Sequence, residues 1–416
     1  MRKRMASFSW LAVAVVAILW NAAPAGAQQP AGQVVKLGEG ETLTITGFIS
    51  STFFIDRSLF GGFGQGQNAE FATCPVLPTA SCTFAQPTTD KLFTDADVRN
   101  TRIGFEFSGQ PVLGKWAPKA MIEADFFGAF NGVPPFGDEQ PQLRVRFAYV
   151  DLTNGRTTLR IGQYWSPMFG ETPVSTTHLA FPLGYGSTGK IGWRFPGIYL
   201  YHDLNPGKPV AVQLQLAAFK GSGPAAARDV TANIGNGEAS GLPQFEARLN
   251  FGKRSPKLAW AGYVVGHIDW KDTSGTGVDT PNLSSWGFEV GDNVAAGKVN
   301  VRANFYYGKA LGQQFAHITQ QGNIRGWGAW GQVGYDFTPR WSYFLFYGID
   351  HPDVQRFATD NGGAVLPRQE SQVGSGMLRF RAGRYTLGLE YFRAMTRWST
   401  GLTNSEQLAF SVLYTI

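Results

Sequence analysis

Apolar and polar residues alternate strictly in two neighbouring segments in the first half of the chain. The first reads Leu143-Arg144-Val145-Arg146-Phe147-Ala148-Tyr149, and the second is Thr157–Gln163. A period of two is typical of a β-strand with two different faces, and Asn154-Gly155 between the segments favours a two-residue hairpin turn. The pattern places apolar side chains on one face and arginines on the other: Leu143, Val145, Phe147, Leu159 and Ile161 against Arg144, Arg146 and Arg160.

The same alternation continues along the rest of the chain, and with the hairpin it predicts about sixteen strands. The further predicted strands are Thr42–Ile55, Arg99–Ser108, Lys115–Gly128, Ile191–Tyr201, Val210–Phe219, Gln244–Phe251, Leu258–Trp270, Ser284–Val290, Val299–Tyr307, Trp327–Phe337, Trp341–Ile349, Gln372–Phe380, Tyr385–Arg393 and Glu406–Ile416.

Short and long connections between these strands alternate along the chain. Thr338–Arg340 is typical of the short ones, and Asp56–Asp95, Trp165–Lys190 and Ala394–Ser405 are typical of the long ones. If all short turns lie on one side, the number of strands is even and both chain ends fall on that side. This is the arrangement of outer-membrane β-barrels, and a soluble sandwich has no reason to sort its loops in this way.

Composition supports a transmembrane barrel. Aromatic residues make up 14% of the chain, charged residues 16%, and glycine occurs 52 times. No stretch after the N-terminus reaches the roughly 18 consecutive apolar residues that a transmembrane helix needs. The last strand carries Leu408, Phe410, Val412, Tyr414 and Ile416 on one face, which resembles the recognition signal of the barrel-assembly machinery. We therefore predict an all-β fold, a transmembrane antiparallel β-barrel of about sixteen strands.

The N-terminus predicts export. Arg2-Lys3-Arg4 is a basic region, Leu11–Leu19 is apolar, and Ala25-Gly26-Ala27 is a small-residue cleavage site. We interpret residues 1–27 as a secretory signal peptide and 28–416 as the barrel. Cleavage removes three of the 36 basic residues and none of the 30 acidic ones, so the charge falls from +6 to +3. This balance gives no indication of a nucleic-acid partner.

Trp165–Gly189 is a long connection with three prolines, and loops of this kind are usually functional. We expect it to fold into the lumen as a constriction and to place Glu171 and His178 opposite the arginines. Guanidinium groups pair well with carboxylates, so the arginines favour anionic solutes. In the alternative interpretation, the arginines pair with acidic residues in a lumen network and give the channel little selectivity. The predicted constriction residues are Arg102, Arg144, Arg146, Arg160, Glu171, His178, Glu123 and Asp125.

Two cysteines, Cys74 and Cys82, lie in the first long loop, where we expect a disulfide in an exported protein. The nearby Gly61-Gly62-Phe63-Gly64 lacks the spacing of a nucleotide-binding loop. No metal or other cofactor is predicted.

Four segments together resemble the first half of the DcaP-like porins. They are Thr101–Phe105, Ile122–Gly128, Leu143–Tyr149 and Gly162–Ser166, and the similarity covers roughly Arg99–Asp203. The resemblance implies a homotrimeric outer-membrane channel for ions and small hydrophilic solutes, among them small organic acids. Its partners would be outer-membrane lipid, lipopolysaccharide and the barrel-assembly machinery.

Two other classes stay open. A barrel enzyme of the lipase or protease type would need a catalytic histidine, and His267-Ile268-Asp269 places a histidine and an acid on one face of a strand end. We do not expect an enzyme, because no histidine lies in a recognisable motif beside a serine nucleophile. A structural or adhesive barrel with a plugged lumen is the third class.

Overall fold

The computed structural model describes residues 32–58, 60–62, 68–73, 92–128, 141–221, 235–255, 258–273, 281–312 and 322–416. The predicted signal peptide, Cys74 and Cys82 lie outside these ranges. Within them, antiparallel strands close into a sixteen-stranded barrel, so the predicted fold is confirmed.

The described strands and helices have the following bounds. The strands are β1 Gln33–Gly38, β2 Glu41–Arg57, β3 Phe60–Gly62, β4 Ala69–Ala72, β5 Leu92–Asp97, β6 Arg102–Ser108, β7 Ala117–Asp125, β8 Arg144–Asn154, β9 Thr157–Trp165, β10 Arg194–Asp203, β11 Ala211–Phe219, β12 Gln244–Arg254, β13 Leu258–Lys271, β14 Leu283–Ala296, β15 Val299–Lys309, β16 Arg325–Asp336, β17 Trp341–Pro352, β18 Arg368–Ala382, β19 Tyr385–Trp398 and β20 Gly401–Thr415. The helices are α1 Asn236–Ala239 and α2 Val354–Asp360.

Strand β2 closes the barrel. One of its edges pairs with β20, from Phe48 opposite Thr415 to Arg57 opposite Glu406. The other edge pairs with β6 and then with β5, which together form one wall strand with a break between them. Because every wall strand is bonded on both sides, the sheet has no free edge in the wall.

The connections lie at two different ends of the barrel. Two-residue turns such as 155–156, 297–298 and 383–384 lie at one end, which we call the turn end. The connections of the other end, the loop end, are mostly long. The predicted long loop Ala394–Ser405 is wrong, because β19 continues to Trp398 and β20 begins at Gly401. Residues from the first long loop cover these strand ends, where the Ala72 N–H donates to Thr396 Oγ1 (3.0 Å).

The strands present apolar side chains outward and mostly small or polar ones inward. Phe53, Ile122, Val145 and Ile161 are exposed on the outer wall, as the alternation predicted for Val145 and Ile161. Inward neighbours such as Thr52 and Asp125 are fully buried. Among the described residues, no helix is both long enough and apolar enough to cross a bilayer.

Phe147 does not follow the predicted alternation. Val145 lies opposite Ala124 and Phe147 lies opposite Glu123, so Arg146 is an extra residue in β8. Arg146 points inward as the alternation predicts, and the bulge places Phe147 on the same inner side, where its ring centroid lies 4.9 Å from that of Tyr164. The prediction that Phe147 shares the outer face with Val145 is therefore wrong.

The predicted loop Asp56–Asp95 contains regular structure. Strands β3 and β4 form a small hairpin inside the mouth of the barrel, and β5 completes the wall. Phe60 packs on Phe392 and Phe71 packs on Trp398, so the hairpin is fastened to β19 by aromatic contacts.

Candidate functional site

The connection between β9 and β10, residues 166–193, folds into the barrel, and we call it the lumen loop. Most of its residues are buried, including Met168, Ser175, His178 and Tyr185. The inner wall binds it from seven strands, through Arg102, Arg146, Glu246, Arg248, Tyr263, Arg302, Gln332 and Glu390. The loop is therefore attached at points spread around the wall, from β6 to β19.

Wall arginines bind main-chain carbonyl groups of the lumen loop. Arg248 Nη1 donates to the Pro167 oxygen at 2.8 Å, and Arg302 Nη1 donates to the Thr172 oxygen at 2.9 Å. On the opposite side Arg102 Nη2 donates to the Leu179 oxygen at 2.8 Å. Irregular backbone inside a barrel needs such partners, because buried carbonyl groups are costly without them.

One carboxylate holds a whole turn of the lumen loop. Glu390 Oε2 accepts hydrogen bonds from Ser175 Oγ at 2.8 Å, Thr177 Oγ1 at 2.9 Å and the Thr176 N–H at 3.3 Å. Its other oxygen accepts from Ser375 Oγ of the neighbouring strand at 3.1 Å. Glu390 is 1% exposed, so its charge is balanced by these donors rather than by water.

Glycines in the wall make room for the loop. A Cβ atom at Gly348 would lie 2.6 Å from the Thr188 oxygen, and one at Gly328 would lie 2.9 Å from Cα of Gly189. Gly189 itself has a φ of +86°, and its Cβ would lie 2.5 to 2.7 Å from backbone atoms of Ala329. The loop and the wall therefore touch backbone to backbone here.

Five of the predicted constriction residues form one ion-pair cluster. Arg144 binds both oxygens of Asp125, at 2.9 and 2.7 Å. Arg146 donates to Glu123 at 2.7 Å and to Asp125 at 2.9 Å, and Arg102 lies 3.7 Å from Glu123. Arg146 and Asp125 are buried under the lumen loop, which favours the paired-network interpretation for this cluster. Its role in permeation stays a prediction.

The structure places the other three predicted residues elsewhere. Glu171 pairs with Arg302 at 3.1 Å, and His178 lies 3.8 Å from Glu390 and stacks on Phe392. The expectation that Glu171 and His178 face the arginines is wrong, because the barrel wall offers each a nearer partner. Arg160 lies closer to the turn end, where it forms a bidentate pair with Asp151 at 2.7 and 2.8 Å.

A water-accessible cavity of about 580 Å³ lies on the turn-end side of the lumen loop, and we call it the vestibule. Its charged lining residues are Lys119, Asp151, Arg160 and Arg248. Arg160 lies 3.8 Å from the ring centroid of Tyr149 and 3.9 Å from that of Tyr164. Lys119 is paired with Glu106 at 2.9 Å and Arg160 is paired with Asp151, so Arg248 gives the vestibule a positive formal charge.

Lys190 is the buried cation of the lumen loop. Its Nζ lies 3.5 Å from the ring centroid of Phe169 and 3.5 Å from the carbonyl oxygens of Gly170 and Ile191. Loss of hydration lowers the pKa of Lys190 to about 7, and the nearby carboxylate of Glu289 offsets part of that effect.

The sequence prediction did not include Arg302, Gln332 and Glu390, the wall groups that hold the lumen loop. Each occupies an inward position of an alternating strand, and this was the available signal. Alternation shows that a side chain points into the lumen, but it does not show which part of a loop lies beside it.

Several solved structures share this fold. The outer membrane channel DcaP of Acinetobacter baumannii is 19% identical with a TM-score of 0.65, over 93% of this chain and 100% of that chain. The anion-selective porin from Comamonas acidovorans is 10% identical with a TM-score of 0.57, over 90% of this chain and 100% of that one. Pseudomonas putida OprB, in its high pH structure, is 11% identical with a TM-score of 0.51, over 89% and 94% of the two chains.

At these identities the similarity shows the fold, which is that of outer-membrane porins and channels. No family model and no curated protein matches the sequence.

Proposed function

We propose that this chain is an outer-membrane porin that lets ions and small hydrophilic solutes diffuse through its lumen. It would be exported through the signal peptide 1–27, inserted by the barrel-assembly machinery among lipid and lipopolysaccharide, and assembled as a homotrimer. The vestibule is the observation that carries the proposal, because a polar, water-accessible space inside a barrel is what a diffusion channel needs. The turn end would face the periplasm.

The charges of the vestibule favour anions. Asp151 is already bound by Arg160, and Arg248 has hydrogen bonds to Asn250 and to the Pro167 oxygen. A fixed positive charge beside the path raises the local concentration of anions. Arginine also binds carboxylates through two parallel hydrogen bonds, so small organic acids are the proposed solutes.

A plugged barrel is the second candidate, because the lumen loop and the β3–β4 hairpin fill much of the loop end. The enzyme reading has less support. His267 lies 3.0 Å from Glu246, and Asp269 pairs with Lys271, so the predicted histidine and acid have different partners.

Conductance in a planar bilayer under a potassium chloride gradient tests the proposal. We expect stepwise conductance and a reversal potential of the anion-selective sign. Absence of steps over many insertions of folded protein would favour the plugged barrel. Addition of a small dicarboxylate such as succinate should reduce the chloride current.

An Arg248→Glu variant tests the source of the selectivity. Reversing this charge should move the reversal potential toward the cation-selective sign and weaken block by succinate. Arg356→Glu is the matched control, because Arg356 lies on α2 outside the lumen and is paired with Asp360. Equal reversal potentials in Arg248→Glu and wild type would contradict the assignment of the vestibule.

A further inference from the structure

Three groups hold the side chain of Arg248 in the vestibule. Its Nε donates to Asn250 Oδ1 at 2.7 Å, and its Nη1 donates to the Pro167 oxygen of the lumen loop at 2.8 Å. The face of the guanidinium group lies on the Tyr263 ring, with Cζ 3.7 Å from the ring centroid. Among the described residues Nη2 has no hydrogen-bond partner, so this nitrogen remains for a solute in the vestibule.

Tyr263 is fixed from both sides. Its hydroxyl oxygen accepts a hydrogen bond from the Glu171 N–H at 3.1 Å, and its O–H donates to the carboxylate of Glu289. Two glycines make room for it, because a Cβ atom at Gly170 or at Gly291 would overlap the Tyr263 hydroxyl group. The residue is only 6% exposed. The lumen loop and β14 therefore determine where the ring lies, and the ring is a rigid support for Arg248.

The acids around Arg248 have partners of their own. These acids are Glu171, Glu246 and Glu289. They are bound to Arg302, His267 and Tyr263 respectively. In the described part of the chain none of them makes an ion pair with Arg248, so the direction of the guanidinium group decides how strongly its charge acts on a passing anion.

We propose that Tyr263 is a positioning residue for anion selectivity, whose ring holds the guanidinium group of Arg248 with Nη2 turned into the vestibule. An arginine side chain has many rotamers in water, and a contact between its planar cation and an aromatic face restricts them. Without the ring, the positive charge would be distributed over many positions and would meet the solute path only part of the time. The inference rests on the proposed anion-selective porin and adds the residue that makes Arg248 effective.

Two substitutions of Tyr263 separate the role of the ring from that of the hydroxyl group. Tyr263→Leu removes the ring, and the ratio of chloride to potassium permeability should fall by about two- to fivefold, as expected for the loss of one cation–π contact. Tyr263→Phe keeps the ring and should keep the wild-type reversal potential. Because it gives up the bond to the lumen loop, it should raise the open-channel noise.

A double variant tests whether Tyr263 acts through Arg248. Arg248→Gln with Tyr263→Leu should have the same reversal potential as Arg248→Gln alone. Tyr199→Leu is the matched control, because Tyr199 is a buried tyrosine of the same hydrophobic cluster and makes no contact with Arg248 among the described residues. It should keep the wild-type reversal potential. Resistance to unfolding in cold dodecyl sulfate shows that each barrel is folded.

Binding of succinate to the folded barrels in detergent, measured by titration calorimetry, is a second readout that needs no current. The affinity should fall by a similar factor in Tyr263→Leu and in Arg248→Gln, and it should stay at the wild-type value in Tyr263→Phe.

A wild-type reversal potential or a wild-type succinate affinity in Tyr263→Leu would overturn the positioning role. A further shift when Tyr263→Leu is added to Arg248→Gln would also overturn it, because the ring would then act independently of Arg248. Absence of conductance in the wild-type protein would overturn the porin proposal instead, and calorimetry would still decide the role of Tyr263.

Discussion

Removal of the charge of Glu390 should loosen the lumen loop while the barrel stays intact. Glu390→Gln keeps the shape of the side chain but replaces one of two acceptor oxygens by an amide group. In wild type, Oε2 accepts from Ser175 Oγ, Thr177 Oγ1 and the Thr176 N–H, at 2.8, 2.9 and 3.3 Å.

Hydrogen bonds to a charged group contribute about 1.5–3 kcal/mol each. The amide can replace some of them, so we expect a net loss of about 3 kcal/mol for attachment of residues 175–178. This loss raises the fraction of molecules in which the turn is detached from the wall, by a factor on the order of one hundred. The remaining attachments, through Gln332, Arg302 and Arg146, keep the rest of the loop in the lumen.

Single-channel recording measures this change. We expect larger open-channel noise and a higher mean conductance in Glu390→Gln than in wild type. Glu370→Gln is the matched control, because Glu370 on the neighbouring strand bonds to Gln372 and His351 and has no contact with the lumen loop. Identical noise and conductance in all three proteins would refute the idea that Glu390 holds the loop.

Three further predictions concern the attachment of the lumen loop. Gly189→Ala should displace the lumen loop and raise the conductance, because the new Cβ would lie within 2.7 Å of the Ala329 backbone. Gly383→Ala is the control, and it should leave the conductance unchanged because Gly383 lies in an open turn. Asp125→Asn leaves two arginines without their shared acid and should destabilise the barrel by about 3–5 kcal/mol in urea unfolding; Asp360→Asn, at an exposed pair, should have no comparable effect. The pKa of Lys190 is lowered in the folded protein, so the unfolded chain binds more protons between pH 7 and about 10, and the free energy of unfolding should rise over that range. Lys190→Met should lack this rise, and an unchanged pH profile would contradict the burial of the amine.

Local pattern was enough to predict most of the barrel. A period of two depends only on neighbouring residues, so the sequence determined the sixteen wall strands and the outward positions of Val145 and Ile161. The short hairpin after β8 was also predicted, but its two-residue turn is 155–156, one residue later than the predicted Asn154-Gly155, because Asn154 still pairs with Thr157 and Gly155 takes the positive φ. The inward direction of Arg144, Arg146 and Arg160 also followed from alternation.

Contacts between distant parts of the chain decided the rest. The inward position of Phe147 depends on a bulge, which exists only in the register between β8 and β7. Ser175 meets Glu390 although 215 residues separate them, because closure of the barrel brings β19 beside the lumen loop. The partners of Glu171 and His178 are set by the same closure. Alternation encodes the face of a strand locally, whereas the place where a loop settles depends on the shape and charge of the whole inner wall, which only the tertiary structure creates.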